Sequence, residues 1–255
     1  MRSVRTITVG VIAALCAAAL GAAPALASTP VQHHFLANAS KKGVARTFTE
    51  TEPGELLGAS EGPQEFDFSP FAIVCDSATS KGAITSNDSD TIFETVKYSE
   101  CTTNSVKIGN KTVEGVRVKF GPVQYEYNAN GFLETGSESE STVRLVNPGS
   151  VLIKIKELGK CLIEWEAQTL PEKAEEKPGK VYGDAVFTPF TVSNPNLKYF
   201  PTEEQSKLKI DNTFKDLEYE YEGGLCEKLE TTGGEKGKAH GVLTTEVKDG
   251  NISWE

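Results

Sequence analysis

The chain is poor in histidine, has no closely spaced cysteines, and has no long apolar run beyond its first 27 residues. It has three histidines in 255 residues and five cysteines with no C-x-x-C among them, which argues against a zinc centre. No segment after the leader approaches the roughly 20 consecutive apolar residues that a membrane-spanning helix needs. No segment shows a sustained helical stripe, so the repeated strand–helix units of α/β enzymes are not expected. Basic residues are outnumbered: 26 Lys and Arg against 36 Asp and Glu. Such a surface repels nucleic acid and anionic lipid, so neither is an expected partner.

The N-terminus reads as an export signal. Arg2 and Arg5 precede a small-residue apolar stretch, Val9 to Ala23, and Ala25-Leu26-Ala27 has the A-x-A form of a cleavage site. Leu15 stands where a lipobox before Cys16 would carry a small residue, so no lipid anchor is expected. Loss of residues 1–27 leaves 24 basic and 36 acidic residues, a net charge of −12. The expected location is secreted or cell-envelope, with a cell-surface polymer or protein as the partner and no cofactor or metal.

Four cysteines remain: Cys75, Cys101, Cys161 and Cys226. An even count in an exported chain suggests two disulfides, and four cysteines allow three connectivities. Chain neighbours tend to be spatial neighbours, which favours Cys75–Cys101 and Cys161–Cys226.

Period-two alternation dominates from Phe48 onwards and marks half-buried strands. "VEGVRVKF" sets Val116, Val118 and Phe120 against Arg117 and Lys119. "VLIKIK" sets Ile153 and Ile155 against Lys154 and Lys156, and "CLIEWEA" sets Cys161, Ile163, Trp165 and Ala167 against Glu164 and Glu166. Asn130-Gly131 and Asp249-Gly250 are hairpin signals, and Asn147-Pro148-Gly149 is a break. "LPEKAEEKPGK", between Pro171 and Pro178, reads as a solvated loop. The expected fold is mainly β, with antiparallel sandwich-like sheets. The expected organisation is a flexible arm over 28–47 and two β units, 48–146 and 147–255. "FSPF" at 68–71 and "FTPF" at 187–190 hint at an internal repeat.

"EFDFSPFAIVCDSATSKGAI…TIFETVKYSECTT", with "KCLIEWEAQTLP" and "LEYEYEGGLC…GKAHGVLTTEV" after it, resembles a set of uncharacterised secreted proteins of high-GC Gram-positive bacteria. The matching positions are Cys75 with Ala78, Tyr98 with Cys101, Cys161 with Ala167 and Gln168, and Tyr221 with Cys226. Many of those proteins carry a further cysteine pair where this chain has "VRVKFGPVQYEYNANGF". The resemblance implies export, β structure and disulfides, and no particular activity.

Candidate chemistry is sparse. "GASEG", Gly58 to Gly62, fits the G-x-S-x-G nucleophile elbow, which needs a buried strand before Ser60 and a helix after it. The flanks "TETEPGELL" and "PQEFDFSP" predict strand–turn–strand instead, and His240 is the only histidine in the strand-rich region. No catalytic residue is assigned. Glu164 with Glu166, and Glu218, Glu220 and Glu222, are read as solvated strand faces. Asp88 and Asp90 in "SNDSD" are read as a turn rather than calcium ligands, and His33-His34 as an incidental pair. Tyr125 with Tyr127 and Tyr219 with Tyr221 are the candidate ligand-stacking pairs, with core packing as the competing role, shared by Phe66 and Phe68.

The mature protein is expected to begin at Ser28. Intact mass of the exported chain checks this; retention of residues 1–27 would refute it.

Overall fold

The computed structural model describes residues 32–255 apart from 42–43, 69–70, 105, 109–110, 131–140, 157, 168–182, 194–203 and 229–235. The leader over 1–27, Gly131 and the whole 170–180 loop lie outside the described residues. The alternating sequence produces strands β1 (Phe35–Lys41), β2 (Val44–Arg46), β3 (Gly54–Ser60), β4 (Gln64–Phe68), β5 (Phe71–Ile84) and β6 (Asp88–Ser89). Then come β7 (Thr91–Thr103), β8 (Val106–Ile108), β9 (Lys111–Val113), β10 (Val118–Phe120), β11 (Val123–Asn128), β12 (Thr142–Leu145) and β13 (Gly149–Ile155). The remainder are β14 (Gly159–Trp165), β15 (Gly183–Ser193), β16 (Glu204–Glu218), β17 (Glu220–Glu222), the short helix α1 (Gly224–Lys228), β18 (Lys236–Val247) and β19 (Gly250–Trp254). The protein is mainly β, and the registered strand pairs are antiparallel.

The largest sheet runs β16-β15-β12-β11-β7-β5-β3-β18-β4, and β16 also pairs with β18. That last pairing, Leu208↔Thr245 through Glu218↔Lys236, joins the two ends of the sheet. β3 and β4 both lie between β5 and β18 and run in the same direction, so they are two pieces of one strand. The sheet is therefore an eight-stranded up-and-down barrel whose neighbours around the ring follow chain order. A barrel of this size is two curved half-sheets facing each other across one core, without free edges.

The joint between β3 and β4 is a bulge. From Ala59 to Gln64 the strand uses six residues where β5 uses five, Thr79 to Cys75. "GASEG" sits at this joint. Gly58 is required there for space: a Cβ would lie 2.0 Å from Ser80 Oγ and 3.1 Å from Thr245 Oγ1. β5 and β7 also slip phase together. Asp76-Ser77 and Ser99-Glu100 are consecutive exposed pairs, and Glu100 takes a positive φ of 55°.

Two small sheets pack at opposite ends of β7. The sheet β19-β1-β2, with β6 on β1, brings Phe35 against Phe187 (ring centroids 4.9 Å apart), beside Tyr127. The sheet β10-β13-β14-β17 brings Phe120 and Trp165 against Phe66, Phe68 and Tyr98. Both expected disulfides form. Cys75–Cys101 joins a directly registered pair of β5 and β7, with Cα atoms 3.8 Å apart. Cys161–Cys226 ties α1 to β14 across 4.9 Å.

Three expectations change. Phe35–Lys41 and Val44–Arg46, inside the expected flexible arm, are strands β1 and β2, and Phe35, Ala37 and Ala39 bury against the barrel mouth. Asp249-Gly250 makes no hairpin: Asp249, at φ 54°, turns the chain out of β18 into a strand that pairs with β1 in another sheet. Residue 147 does not separate two units, since strands from both sides of it share the barrel and 31–255 form one compact unit.

Gly58→Ala is expected to destabilise the fold by roughly 1–3 kcal/mol through overpacking against Ser80. Adding Ser80→Ala should restore much of that loss in a urea titration; an additive double variant would show that the crowding is not at this contact.

Candidate functional site

Two places gather polar groups: the barrel lumen and a groove on its outer wall. Registered partners share a sheet face, so rows can be followed around the ring. Leu56, Gly82, Glu94, Tyr125 and Leu145 make one inward row, and Leu208, Thr245, Gly58, Ser80, Val96 and Val123 make the next. Large side chains fill this lumen. Glu94 is 1% exposed, and its Oε1 accepts a 2.7 Å hydrogen bond from Thr245 Oγ1 on β18. Among the described residues its Oε2 has no hydrogen-bond partner, and neither has Ser80 Oγ. Gly82 makes room for the Glu94 stem, since a Cβ there would meet Glu94 Cγ at 2.9 Å. Burial pushes the Glu94 carboxyl above the usual carboxylate range; the Thr245 bond and the nearby Ser80 hydroxyl, which falls short of bonding geometry, offset this in part.

The tyrosines Tyr125 and Tyr127 belong to the same interior. They are 4% and 0% exposed, so they offer no stacking platform for a ligand. Tyr98 and Tyr125 share a 2.6 Å hydroxyl–hydroxyl bond, and Asn212 Nδ2 donates to Tyr127 Oη at 3.2 Å. Tyr219 is 2% exposed, and Tyr221 packs edge-on to it with ring centroids 5.1 Å apart. The physical reason is the same for both pairs. Each lies on the core-facing side of its strand, where aromatic area is most stabilising. A gap of about 10 Å³, the scale of one water molecule, remains among Gln64, Tyr98, Tyr125 and Asn212.

The outer groove measures about 420 Å³. One outward row runs Thr213, His240, Glu65 and Val74; the next runs Lys238, Asp67 and Ala72. The floor is thus apolar at Ala72 and Val74, and the wall carries two acids and a lysine. His240 Nε2 is engaged by Asp211 Oδ1 at 3.0 Å. Among the described residues, no ion pair or side-chain hydrogen bond occupies Glu65, Asp67 or Lys238.

The other sequence candidates scatter. Ser60 Oγ accepts a hydrogen bond from Ala78 N–H at 2.9 Å and stands in an antiparallel strand, so the elbow architecture is missing. Glu164, Glu166, Glu218, Glu220 and Glu222 are exposed. His34 Nδ1 lies 3.1 Å from Asp88 and 3.0 Å from Asp90, which brings together two features that sequence reading treated apart. No group of three or more potential metal ligands is found among the described residues. Sequence reading missed Glu94 and the groove acids. Glu94 had a signal: in "TIFETVKY" it shares its alternating face with Ile92, Val96 and Tyr98. The groove had none, because Glu65 and His240 are 175 residues apart in the chain.

No known protein family, curated protein or solved structure matches the chain.

The lumen tyrosines should resist ionisation. Burial holds Tyr98 and Tyr127 well above the ordinary phenol range and pushes Tyr125 up to about 12. Because each folded-state pKa is raised, the stability they contribute is present below pH 10 and lost as pH rises beyond it. Absorbance titration at 295 nm should show these three phenols ionising only with alkaline unfolding. Reversible ionisation near pH 10 of all seven tyrosines in folded protein would contradict the packing.

Proposed function

We propose that this is an exported, non-catalytic binding protein that engages its ligand on the outer barrel wall. The observation that carries this reading is the groove over Ala72 and Val74, where Glu65, Asp67 and Lys238 have no side-chain partner among the described residues. The filled lumen supports the same reading, since a ligand cannot share the space that Tyr127, Glu94 and Phe187 occupy. The leader and the two disulfides support export.

The groove favours an extended, lysine- or arginine-bearing segment of a partner protein. Glu65 and Asp67 are alternate residues of one strand, so their stems stand about 7 Å apart. That matches the spacing of alternate side chains in an extended peptide lying along β4. Lys238 beside Asp67 would pair with an acid or carbonyl of the same segment, and the floor would take its apolar stems.

The test is fluorescence anisotropy with a labelled Lys-Thr-Lys-Thr-Lys peptide and its Glu-for-Lys counterpart. Wild type should bind the lysine peptide, and Glu65→Gln with Asp67→Asn should weaken it roughly three- to tenfold, the scale of two exposed ion pairs. Equal binding of both peptides, no binding, or an unaffected variant would remove this assignment.

A further inference from the structure

We propose that Glu94 is a proton-governed plug: the barrel lumen stays sealed while this carboxyl is neutral and admits water when it ionises. The geometry is that of a switch rather than a structural ion pair. Glu94 reaches from β7 to Thr245 on β18, so its single hydrogen bond spans the lumen between strands that are three steps apart in the ring. Its second oxygen faces the interior without a partner. The groups facing it are Ser80 and Gly82 from β5, Thr245 from β18, Tyr125 and Tyr127 from β11, and Ile92, Val96 and Tyr98 along its own strand. The titratable ones are tyrosines, and no ion pair to Glu94 is found among the described residues.

A neutral acid suits this place, because a hydroxyl partner and an apolar surround cost it little. An anion does not, because nothing there replaces its hydration. Ionisation therefore favours any state in which water reaches Oε2. The gap beside Gln64, Tyr98, Tyr125 and Asn212 gives that water a place to begin, and Asn212 Oδ1 is an unpaired acceptor there. Burial raises the Glu94 proton affinity in the folded state. The sign follows. The stability that Glu94 contributes is full below the carboxyl's unfolded-state range, near pH 4.5, and declines as pH rises towards its folded value.

The experiment compares wild type with Glu94→Gln, which keeps the Thr245 bond but cannot ionise, and with Glu220→Gln as an exposed control. Urea midpoints are taken from pH 4 to pH 8. Wild type and Glu220→Gln should lose stability relative to Glu94→Gln as pH rises, with the folding constant changing by up to tenfold per pH unit inside the window. Parallel curves for wild type and Glu94→Gln would overturn the proposal. Should Glu94→Gln not fold, wild-type amide exchange decides. Protection at Tyr125 and Tyr127, corrected for intrinsic rates, should fall several-fold across the same range, and constant protection would overturn the proposal.

Discussion

The pairing of β16 with β18 is the constraint on which the other features depend. It turns an open sheet into a ring by joining its two end strands. It also fixes what the inward faces can be. Once the ring is closed, every inward side chain has to fit a shared volume, and the polar ones have only each other to bond with across it. The Thr245–Glu94 and Asn212–Tyr127 bonds are both of this cross-lumen kind. Both depend on residues carried by the two closing strands.

Closure also explains the glycines at crowded inward positions. Gly58 and Gly82 lie where Ser80, Thr245 and Glu94 converge. Gly241 lies where the Gln64 amide crosses; a Cβ there would come within 1.9 Å of Gln64 Oε1. The amide of Gln64 in turn donates to Gly62 O and Val242 O, which holds the β3–β4 bulge against β18. The "GASEG" stretch is therefore the sequence of a strand that bends around a filled interior. Its glycines serve packing and curvature rather than the exposure of a nucleophile.

Much of the local structure was legible in the sequence, because alternation acts over neighbouring residues. The faces of 116–120, 153–156 and 161–166 came out as expected, and so did both disulfides; Cys75–Cys101 joins strands close in the chain, whereas Cys161–Cys226 closes 65 residues across β15, β16 and β17. The closure was not legible. It rests on which of several similar strands meets β16, a choice made by the whole set of inward volumes. The tyrosine pairs show the same limit: alternation says that Tyr125 and Tyr127 share a face, and only the ring says that the face is inside. Asp249-Gly250 was read as a hairpin because turn chemistry reports the bend and not the destination of the next strand. Glu94 is an acid in an apolar register, one of 36 acids in the chain, and alternation alone does not single it out.

The pairing of β1 with β19 has a consequence for timing. His34 and Glu255 exchange backbone hydrogen bonds in both directions, at 2.8 and 3.1 Å, so the earliest described strand waits for one more than 200 residues later. At synthesis rates of roughly 5–20 residues per second that interval is on the order of ten to forty seconds. Throughout it β1 has only the short early strands β2 and β6 to pair with, and the barrel mouth that it will cover stays open. A chain emerging N-terminus first therefore passes through a stage in which β1 still lacks its partner β19. Local pairs such as β5 with β7 can form early; the lid over one end of the barrel is necessarily a late event.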